Sequence, residues 1–353
     1  MKHFLFIPEK ALEEKVTQKL QEEMRNLDPQ AEVTIYPALD SSSEKEYRQK
    51  SKFSLNSLIK SLNLYLRFRH YLQPRKQLEA TELVYFGNRL SYFFLLHFLA
   101  HKKIIWVRVS QDLNERRISF FQKLMVSKSV EVILTDDQRM NRHYRQNLLP
   151  SYFVGNILVD LCPPSSFEFL HGKNPILAFL PKAQEFEEEL FNALELTEIL
   201  WSNTHKYYFL LVIPKGVSTK KTKEIAEKKG WLYCRSFEGD IVEGYLWKQS
   251  TYINLTRFYS EALEQAELVL SNNPVRIIQA AGMGKRVLYT DCKTPQEVIQ
   301  ILNNQIFFFE YCRSMWDRFG KRGGLRRLAA YLLWGVVEDQ RFNQYLLKKG
   351  AGS

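Results

Sequence analysis

The chain alternates between two kinds of hydrophobic pattern along most of its length. Short apolar runs such as residues 4–7 (FLFI) and 104–109 (IIWVRV) predict buried strands. Between the runs, apolar residues recur every three or four positions, as at Leu12, Val16 and Leu20, which is typical of amphipathic helices. Strands that alternate with helices indicate βαβ units and therefore parallel sheets.

One Pro-rich segment, residues 162–166 (CPPSS), interrupts this alternation. A first series of predicted strands and helices precedes it, and a second series follows it to the end of the chain. We therefore expect an α/β protein with one Rossmann-like domain over residues 1–162 and another over residues 163–353, which ends in C-terminal helices. Two such domains in tandem are typical of enzymes that hold a ligand in a cleft between facing domains.

Residues 267–291 (ELVLSNNPVRIIQAAGMGKRVLYTD) predict a complete βαβ unit. Pro274 suits the first turn of a helix, and the asparagines before it are good N-caps. Gly282 and Gly284 end the helix before the next buried strand. A helix N-terminus after a parallel strand presents free N–H groups to phosphates, and Arg276 would add a bidentate donor there. A phosphate site and an ordinary structural crossover are equally compatible with this segment.

The composition is that of a globular protein with an anionic partner. The 353 residues carry a net charge of +11, and the pI is near 9.3. Nucleic acid, acidic lipid and the phosphates of a nucleotide sugar all match this charge. The hypothesis of a nucleic-acid partner rests on charge alone, because the sequence contains no recognised nucleic-acid-binding module. The four cysteines form no CxxC pair, and we find no metal, Ser-His-Asp, HExxH, Walker A or GxGxxG pattern.

Residues 53–73 combine periodic apolar positions with basic residues, among them Arg67 and Arg69. Such a helix can lie on an anionic membrane surface, although a helix that packs on the sheet with a solvated basic face explains the pattern more simply. Residues 40–52 are polar and predict an exposed loop. The sequence shows neither a signal peptide nor a membrane span. We therefore expect a cytoplasmic protein whose contact with the inner membrane, if any, is peripheral.

Several segments together resemble the lipid-A-disaccharide synthase family. Val154-Gly155-Asn156 with Asp160 resembles the family's VGNP…D element at the end of the first domain, without its proline. Residues 176–183 (ILAFLPKA) stand where the family has a strand and an LPGSR loop, and residues 273–288 (NPVRIIQAAGMGKRVL) where it has its GT-x-x-E-Q/A helix and GLGKPV turn. Residues 317–333 (DRFGKRGGLRRLAAYLL) resemble its MG-x-PGGSxRIA helix.

The resemblance covers nearly the whole chain and implies a GT-B-like glycosyltransferase. Its expected features are two facing Rossmann-like domains, a UDP-sugar donor held mainly by the C-terminal domain, and a lipid-linked or glycan acceptor at the N-terminal domain. The implied reaction transfers an acylated glucosamine from UDP, with neither a metal nor a cofactor. Arg, Lys and helix N–H groups would then stabilise the leaving diphosphate.

The chain departs from the family pattern at positions that carry chemistry. Pro8-Glu9-Lys10 replaces the Gly-rich loop after the first strand, and Lys182 stands in the place of the Gly-Ser-Arg loop. Ile278 replaces a carboxylate on the central helix, and Asn88 replaces an acidic residue after the third strand. These departures indicate altered specificity or lost catalysis.

The candidate site residues follow from these motifs. Donor binding is predicted for Asn273, Arg276, Gln279, Lys182, Gln296 and Arg326, and catalysis for Asn88 and Asp160. Each also has a structural explanation as a helix cap, a turn residue or a surface charge. An active glycosyltransferase and a degenerate relative that binds a nucleotide sugar or lipid without turnover both stay open. They differ in whether a carboxylate such as Glu9, Asp136 or Asp160 acts as a base. The oligomeric state is open, with a homodimer among the options.

Overall fold

The computed structural model describes residues 2–39, 81–114, 118–169, 174–204, 207–236 and 241–335. The predicted loop at 40–52 and the predicted basic helix at 53–73 lie outside these ranges. The part of the predicted C-terminal helices that follows residue 335 also lies outside them. The chain divides into two units. Unit 1 comprises Met1–Ser110, Asn114–Leu161 and Gly323–Ser353, and unit 2 comprises Gln111–Leu113 and Cys162–Arg322.

A parallel sheet forms the centre of unit 1. Its strands are β1 (His3–Pro8), β2 (Glu32–Ile35), β3 (Thr81–Phe86), β4 (Ile104–Arg108), β5 (Val130–Thr135) and β6 (Ser151–Phe153), in the spatial order β2-β1-β3-β4-β5-β6. Neighbouring strands are parallel throughout. The described helices of this unit are α1 (Ala11–Leu27), α2 (Leu90–Ala100), α3 (Phe120–Ser129), α4 (Gln138–Gln146) and α11 (Gly324–Trp334).

The local sequence explains these elements. Buried parallel strands have apolar side chains on both faces, which is why β3 contains the apolar run at residues 83–86 (LVYF) and β4 the run at residues 104–107 (IIWV). Ser119 and Gln122 form a capping box at the start of α3. Asp137 caps α4, since its Oδ1 accepts the N–H groups of Arg139 at 2.8 Å and Met140 at 3.2 Å. The core of this unit contains the buried aromatic rings of Tyr85, Phe93, Trp106 and Tyr144.

A second, mostly parallel sheet forms the centre of unit 2. Its strands are β7 (Ile176–Phe179), β8 (Tyr208–Val212), β9 (Leu232–Arg235), β10 (Gly244–Lys248), β11 (Thr251–Thr256), β12 (Ala266–Ser271) and β13 (Arg286–Tyr289), in the order β13-β12-β7-β8-β11-β10-β9. Strand β10 is antiparallel to both β9 and β11. The described helices are α5 (Phe186–Thr204), α6 (Thr219–Glu227), α7 (Tyr259–Gln265), α8 (Pro274–Gly282), α9 (Pro295–Asn303) and α10 (Gln305–Phe319).

The predicted α/β class, with two Rossmann-like units and C-terminal helices, is confirmed. The sequence analysis missed β11 and α7, both of which lie between β10 and β12. It also did not predict the antiparallel pairing of β10. Within the described residues, no helix combines the length and the apolar composition needed to cross a membrane.

The last described helix belongs to unit 1, although the sequence analysis assigned residues 163–353 to a second domain. Helix α11 packs on α1, and its Tyr331 ring lies 5.4 Å from that of Tyr152, measured between ring centroids. The reason is the apolar face of α11, which includes the buried Leu325 and Leu328 and which is covered in unit 1. Conversely, residues 111–113 belong to unit 2, although the sequence analysis assigned them to the first domain. There, Arg318 Nη1 donates to the Leu113 carbonyl at 2.7 Å.

Candidate functional site

The strand order of unit 2 creates a topological switch point between β7 and β12. From β7 the chain passes through α5 to β8 on one side, whereas from β12 it passes through α8 to β13 on the other. The connections therefore diverge at the carboxyl ends of β7 and β12, which is where open α/β sheets bind their ligands. Helices α5 and α8 both begin at this edge, so their free N–H groups and partial positive charges lie there as well.

Arg276 lies in the first turn of α8 and is partly buried. Its guanidinium carbon stands 5.1 Å from the centroid of the Tyr259 ring at the start of α7, which fixes the side chain by a cation–π contact. Burial lowers the pKa of Arg276, and the nearby Tyr259 and Glu189 act in the opposite direction. Among the described residues, Arg276 Nη1 is buried without a hydrogen-bond partner. This arginine is therefore a positioned donor with unused hydrogen-bonding capacity.

Two other predicted donor-binding residues lie on the same helix and have structural roles. Asn273 is the N-cap of α8, and its Oδ1 accepts the Val275 N–H at 3.0 Å. Gln279 is 8% exposed, and its Oε1 accepts the Tyr259 hydroxyl at 2.5 Å. Gln279 thus holds the ring on which the Arg276 guanidinium rests, and it acts on any ligand through Arg276.

Lys182 belongs to a polar cluster between the end of β7 and the start of α5. Its Nζ lies 3.6 Å from Glu185 Oε2, and the same oxygen accepts Asn272 Nδ2 at 2.8 Å. Glu189 follows in the first turn of α5. Burial raises the pKa of Glu189 to about 8, and the Lys182 backbone N–H, the Lys182 ammonium and the Arg276 guanidinium oppose that rise. The Glu185 carboxylate acts in the same direction as burial.

One predicted donor-binding residue of unit 2 lies away from this edge, and another belongs to unit 1. Gln296 lies on the exposed surface at the start of α9, where its Nε2 donates to Glu195 Oε1 on α5 at 2.8 Å. Arg326 lies on α11 in unit 1. Gln296 therefore links two helices of unit 2, and Arg326 belongs to unit 1.

Unit 1 has its own switch point, between β1 and β3, and a carboxylate of the chain fills it. Glu9 follows β1 and is 1% exposed. Its Oε2 accepts the backbone N–H groups of Asn88 at 2.7 Å and Arg89 at 3.0 Å, and the Tyr85 hydroxyl at 2.8 Å. A Cβ on Gly87 would overlap with this carboxylate. Glu9 thus places its own carboxylate at the N-terminus of α2, where the backbone N–H groups would otherwise be available to a bound anion.

The two predicted catalytic residues are held by structural contacts. The Asn88 Oδ1 accepts Arg108 Nε at 3.1 Å, and its Nδ2 donates to the Val109 carbonyl at 3.2 Å. Asp160 caps α11, since Oδ1 accepts the Gly323 N–H and Oδ2 the Leu325 N–H, each at 2.8 Å. Both side chains therefore stabilise the ends of elements within unit 1.

The similarity of this chain to known proteins lies in its fold. No family model matches the chain, and no curated protein matches it. Among solved structures, the chain is similar to Staphylococcus aureus MnaA solved with UDP, with a TM-score of 0.59, 11% identity, and coverage of 96% of this chain and 99% of the other.

Two further similar structures are UDP-GlcNAc 2-epimerases. The enzyme from Neisseria meningitidis, bound to UDP-GlcNAc, has a TM-score of 0.56, 11% identity, and coverage of 96% of this chain and 100% of the other. The enzyme from Methanocaldococcus jannaschii has a TM-score of 0.53, 14% identity, and coverage of 95% and 100%. At these identities the similarity establishes the fold, which is that of GT-B proteins built from two Rossmann-like domains.

Sequence reasoning missed three residues of the cluster in unit 2. Tyr259 lies on the helix that was not predicted, and Asn272 was considered only as a turn or N-cap residue before Pro274. Glu189 is one of three consecutive glutamates, and nothing in the sequence distinguishes it from its exposed neighbours Glu187 and Glu188. Among the residues that the structure covers, no group of three or more His, Cys, Asp or Glu side chains could hold a metal ion.

Proposed function

We propose that this protein binds a UDP-sugar at the carboxyl ends of β7 and β12. The observation that carries the proposal is the Arg276 guanidinium, which rests on Tyr259 beside two helix N-termini and has an unused donor. Phosphate oxygens accept hydrogen bonds from such guanidinium and helix N–H groups. The fold supports the proposal, because two of the similar structures were solved with UDP or UDP-GlcNAc bound.

The proposed reaction is the transfer of a glucosamine-type sugar to a lipid-linked or glycan acceptor, as the resemblance to lipid-A-disaccharide synthase implies. The bond between the anomeric carbon and the diphosphate breaks, the acceptor oxygen forms the new glycosidic bond, and UDP leaves. The proton of the acceptor hydroxyl passes to a carboxylate of the chain or to the leaving diphosphate. Arg276 and the N-termini of α5 and α8 would stabilise the charge that develops on the leaving diphosphate. No metal enters this scheme. Residues 53–73 are the proposed contact with an anionic membrane that presents such an acceptor.

A second candidate function is nucleotide-sugar binding without turnover. It is favoured by the contacts of the carboxylates in unit 1, since Glu9 accepts hydrogen bonds before α2 and Asp160 caps α11. A carboxylate whose oxygens already accept hydrogen bonds from the chain has fewer free lone pairs with which to take a proton from an acceptor hydroxyl. Asp136, the third carboxylate considered, accepts the Ser110 N–H at 2.9 Å.

Isothermal titration with UDP and UDP-N-acetylglucosamine tests the proposed binding. We expect saturable binding at low salt and a dissociation constant at least tenfold higher for Arg276→Ala, because a guanidinium–phosphate hydrogen bond is lost. Arg313→Ala, which removes an exposed arginine of unit 2, is the matched control and should bind as the wild type does. Flat titrations of the wild type, or equal affinities of the wild type and Arg276→Ala, would rule out this site.

Product analysis separates the candidate functions. The protein is incubated with UDP-N-acetylglucosamine in the presence and absence of a lipid-linked glucosamine acceptor. Release of UDP that depends on the acceptor supports transfer. Formation of a UDP-sugar inverted at C2 would instead show that the reaction is epimerisation. Tight binding with neither product supports binding without turnover.

A further inference from the structure

Three buried polar atoms at the carboxyl edge of β7 and β12 have no hydrogen-bond partner among the described residues. They are Asn272 Oδ1, Arg276 Nη1 and Glu189 Oε1. Asn272 is only 5% exposed and directly follows β12. Because a buried polar group without a partner is destabilising, these atoms indicate which ligand groups the edge can accept.

The orientation of the Asn272 amide is fixed by its other half. Its Nδ2 donates to Glu185 Oε2 at 2.8 Å, and the Lys182 ammonium lies 3.6 Å from the same oxygen. Rotating the amide by 180° would place Oδ1 against a carboxylate oxygen, where two acceptors repel each other. Asn272 Oδ1 therefore acts as an acceptor that requires a donor.

A diphosphate alone cannot satisfy this set of atoms. Ionised phosphate oxygens accept hydrogen bonds from Arg276 but offer no proton to Asn272 Oδ1. A hydroxyl group does both, because it donates one hydrogen bond and accepts others. Neighbouring hydroxyls of a sugar ring would present such groups side by side.

We propose that this edge recognises sugar hydroxyls next to the diphosphate, with Asn272 Oδ1 accepting a hydrogen bond from a hydroxyl and Arg276 Nη1 donating to an oxygen of the same ligand. The proposal rests on the proposed UDP-sugar site and extends it by naming Asn272 as a specificity-determining residue. The hydroxyls belong either to the ribose or to the transferred sugar.

Glu189 fits the same ligand chemistry. Its Oε1 is buried, and the charged groups that face it are Lys182, Glu185 and Arg276. Burial keeps the pKa of this carboxyl near 8, so at neutral pH the group carries its proton and can both donate and accept. A neutral carboxyl also avoids the repulsion that an ionised one would exert on phosphate in the first turn of α5.

The test compares ligands with and without hydroxyls on the intact protein. Dissociation constants are measured for UDP, 2′,3′-dideoxyuridine diphosphate and UDP-N-acetylglucosamine with the wild type, Asn272→Ala and the control Asn303→Ala, which changes an exposed residue of α9. A site built around a buried polar group rejects an analogue that lacks the matching hydroxyl. We expect the wild type and the control to lose at least tenfold in affinity when the relevant hydroxyls are removed, and Asn272→Ala to lose less than threefold.

The comparisons between these ligands identify which sugar supplies the hydroxyls. A loss between UDP and the dideoxy analogue assigns Asn272 to the ribose, and a loss between UDP-N-acetylglucosamine and UDP assigns it to the transferred sugar. If the wild type binds all three ligands within twofold, or if Asn272→Ala discriminates as strongly as the wild type, the inference is wrong while the proposed site stands. If no uridine nucleotide binds, the proposed site itself fails. Should Asn272→Ala not fold, the wild-type series alone decides.

Discussion

Single residues of unit 2 acquire their chemistry from burial that the sequence does not reveal. Glu187, Glu188 and Glu189 are identical side chains in one helical turn, but only Glu189 is turned away from solvent. Removal of water disfavours the ionised carboxylate and so raises its pKa. The consequence reaches beyond ligand binding, because a shifted pKa couples folding to pH.

Glu189→Gln should stabilise the protein at alkaline pH and not at acidic pH. In the folded state Glu189 keeps its proton up to about pH 8, whereas an unfolded glutamate releases it near pH 4.5. The folded state therefore binds more protons between these values, and its stability falls as the pH rises through this window. Glutamine has no proton to lose, so the melting temperature of the variant should exceed that of the wild type by on the order of 4 °C at pH 9.

Thermal denaturation at pH 4.5 and pH 9 measures this difference. Glu188→Gln is the matched control, because it removes an exposed carboxyl from the same turn and should show no such dependence on pH. An equal change in melting temperature at both pH values for Glu189→Gln would mean that this carboxyl is ionised in the folded state at neutral pH.

Gly155→Ala should destabilise unit 1 more than Gly335→Ala does. Both glycines have positive φ, 85° and 71°, so alanine costs about 1–2 kcal/mol at either position. At Gly155 the new Cβ would also overlap with the Arg327 guanidinium, whose Nε donates to the Val154 carbonyl at 2.6 Å, whereas nothing lies within 4 Å of a Cβ at Gly335. The additional cost is about 1 kcal/mol, the worth of that hydrogen bond. Urea denaturation of both variants measures it, and equal losses would show that Arg327 simply moves aside.

At the scale of elements, residues of the segment that follows β6 contact the N-terminus of α11. Asp160 accepts two N–H groups of the first turn, and Gly324 lies so close to Asn156 that a Cβ would stand 2.7 Å from its carbonyl carbon. The resemblance assigned these segments to a glycosyltransferase site. Their contacts show that they also form a structural junction.

Asp160→Asn should lower stability by about 1–2 kcal/mol, because the helix loses a charged cap at its positive end. Chemical denaturation measures this loss, and Glu32→Gln, which removes an exposed charge from β2, serves as the control. The outcome also tests the predicted catalytic role. A variant with unchanged stability and abolished UDP release would assign Asp160 to catalysis instead of capping.

Elements with strong local signals could be predicted from sequence, and the others could not. Helix α8 was predicted from Asn273 and Pro274 because the cap and the first-turn proline act locally. The turn between β10 and β11 was missed because its positive φ, 56°, falls on Gln249, where a glycine or asparagine signal would be expected. Helix α7 has seven residues, too few to establish a period.

The candidate site divides in the same way. Arg276 was found because it lies at a recognisable helix start. Asn272 and Glu189 were missed because their role depends on contacts between segments far apart in sequence, such as the bond from Asn272 to Glu185. Gln296 satisfied the local pattern but pairs with Glu195 on the surface.

At the scale of the whole molecule, unit 1 is built from both ends of the chain. A chain that stops after Arg322 should therefore lose protection against hydrogen exchange in unit 1, since α1 loses the helix that packs on it. Peptides from unit 2 should exchange as in the full chain. A chain that stops after Gly335 keeps α11 and separates its contribution from that of the later residues. Unchanged protection of α1 without α11 would show that the helix is dispensable.

The return of α11 to unit 1 also sets an order of events during synthesis. The ribosome adds about 5–20 residues per second, so all of Cys162–Arg322 must be made, over on the order of ten seconds, before α11 exists. For that time the nascent first unit presents an uncovered apolar surface on α1, which is a surface that chaperones bind. The segment Cys162–Arg322 of unit 2 is complete before α11 emerges. Unit 2 can therefore finish folding while unit 1 still lacks its last helix.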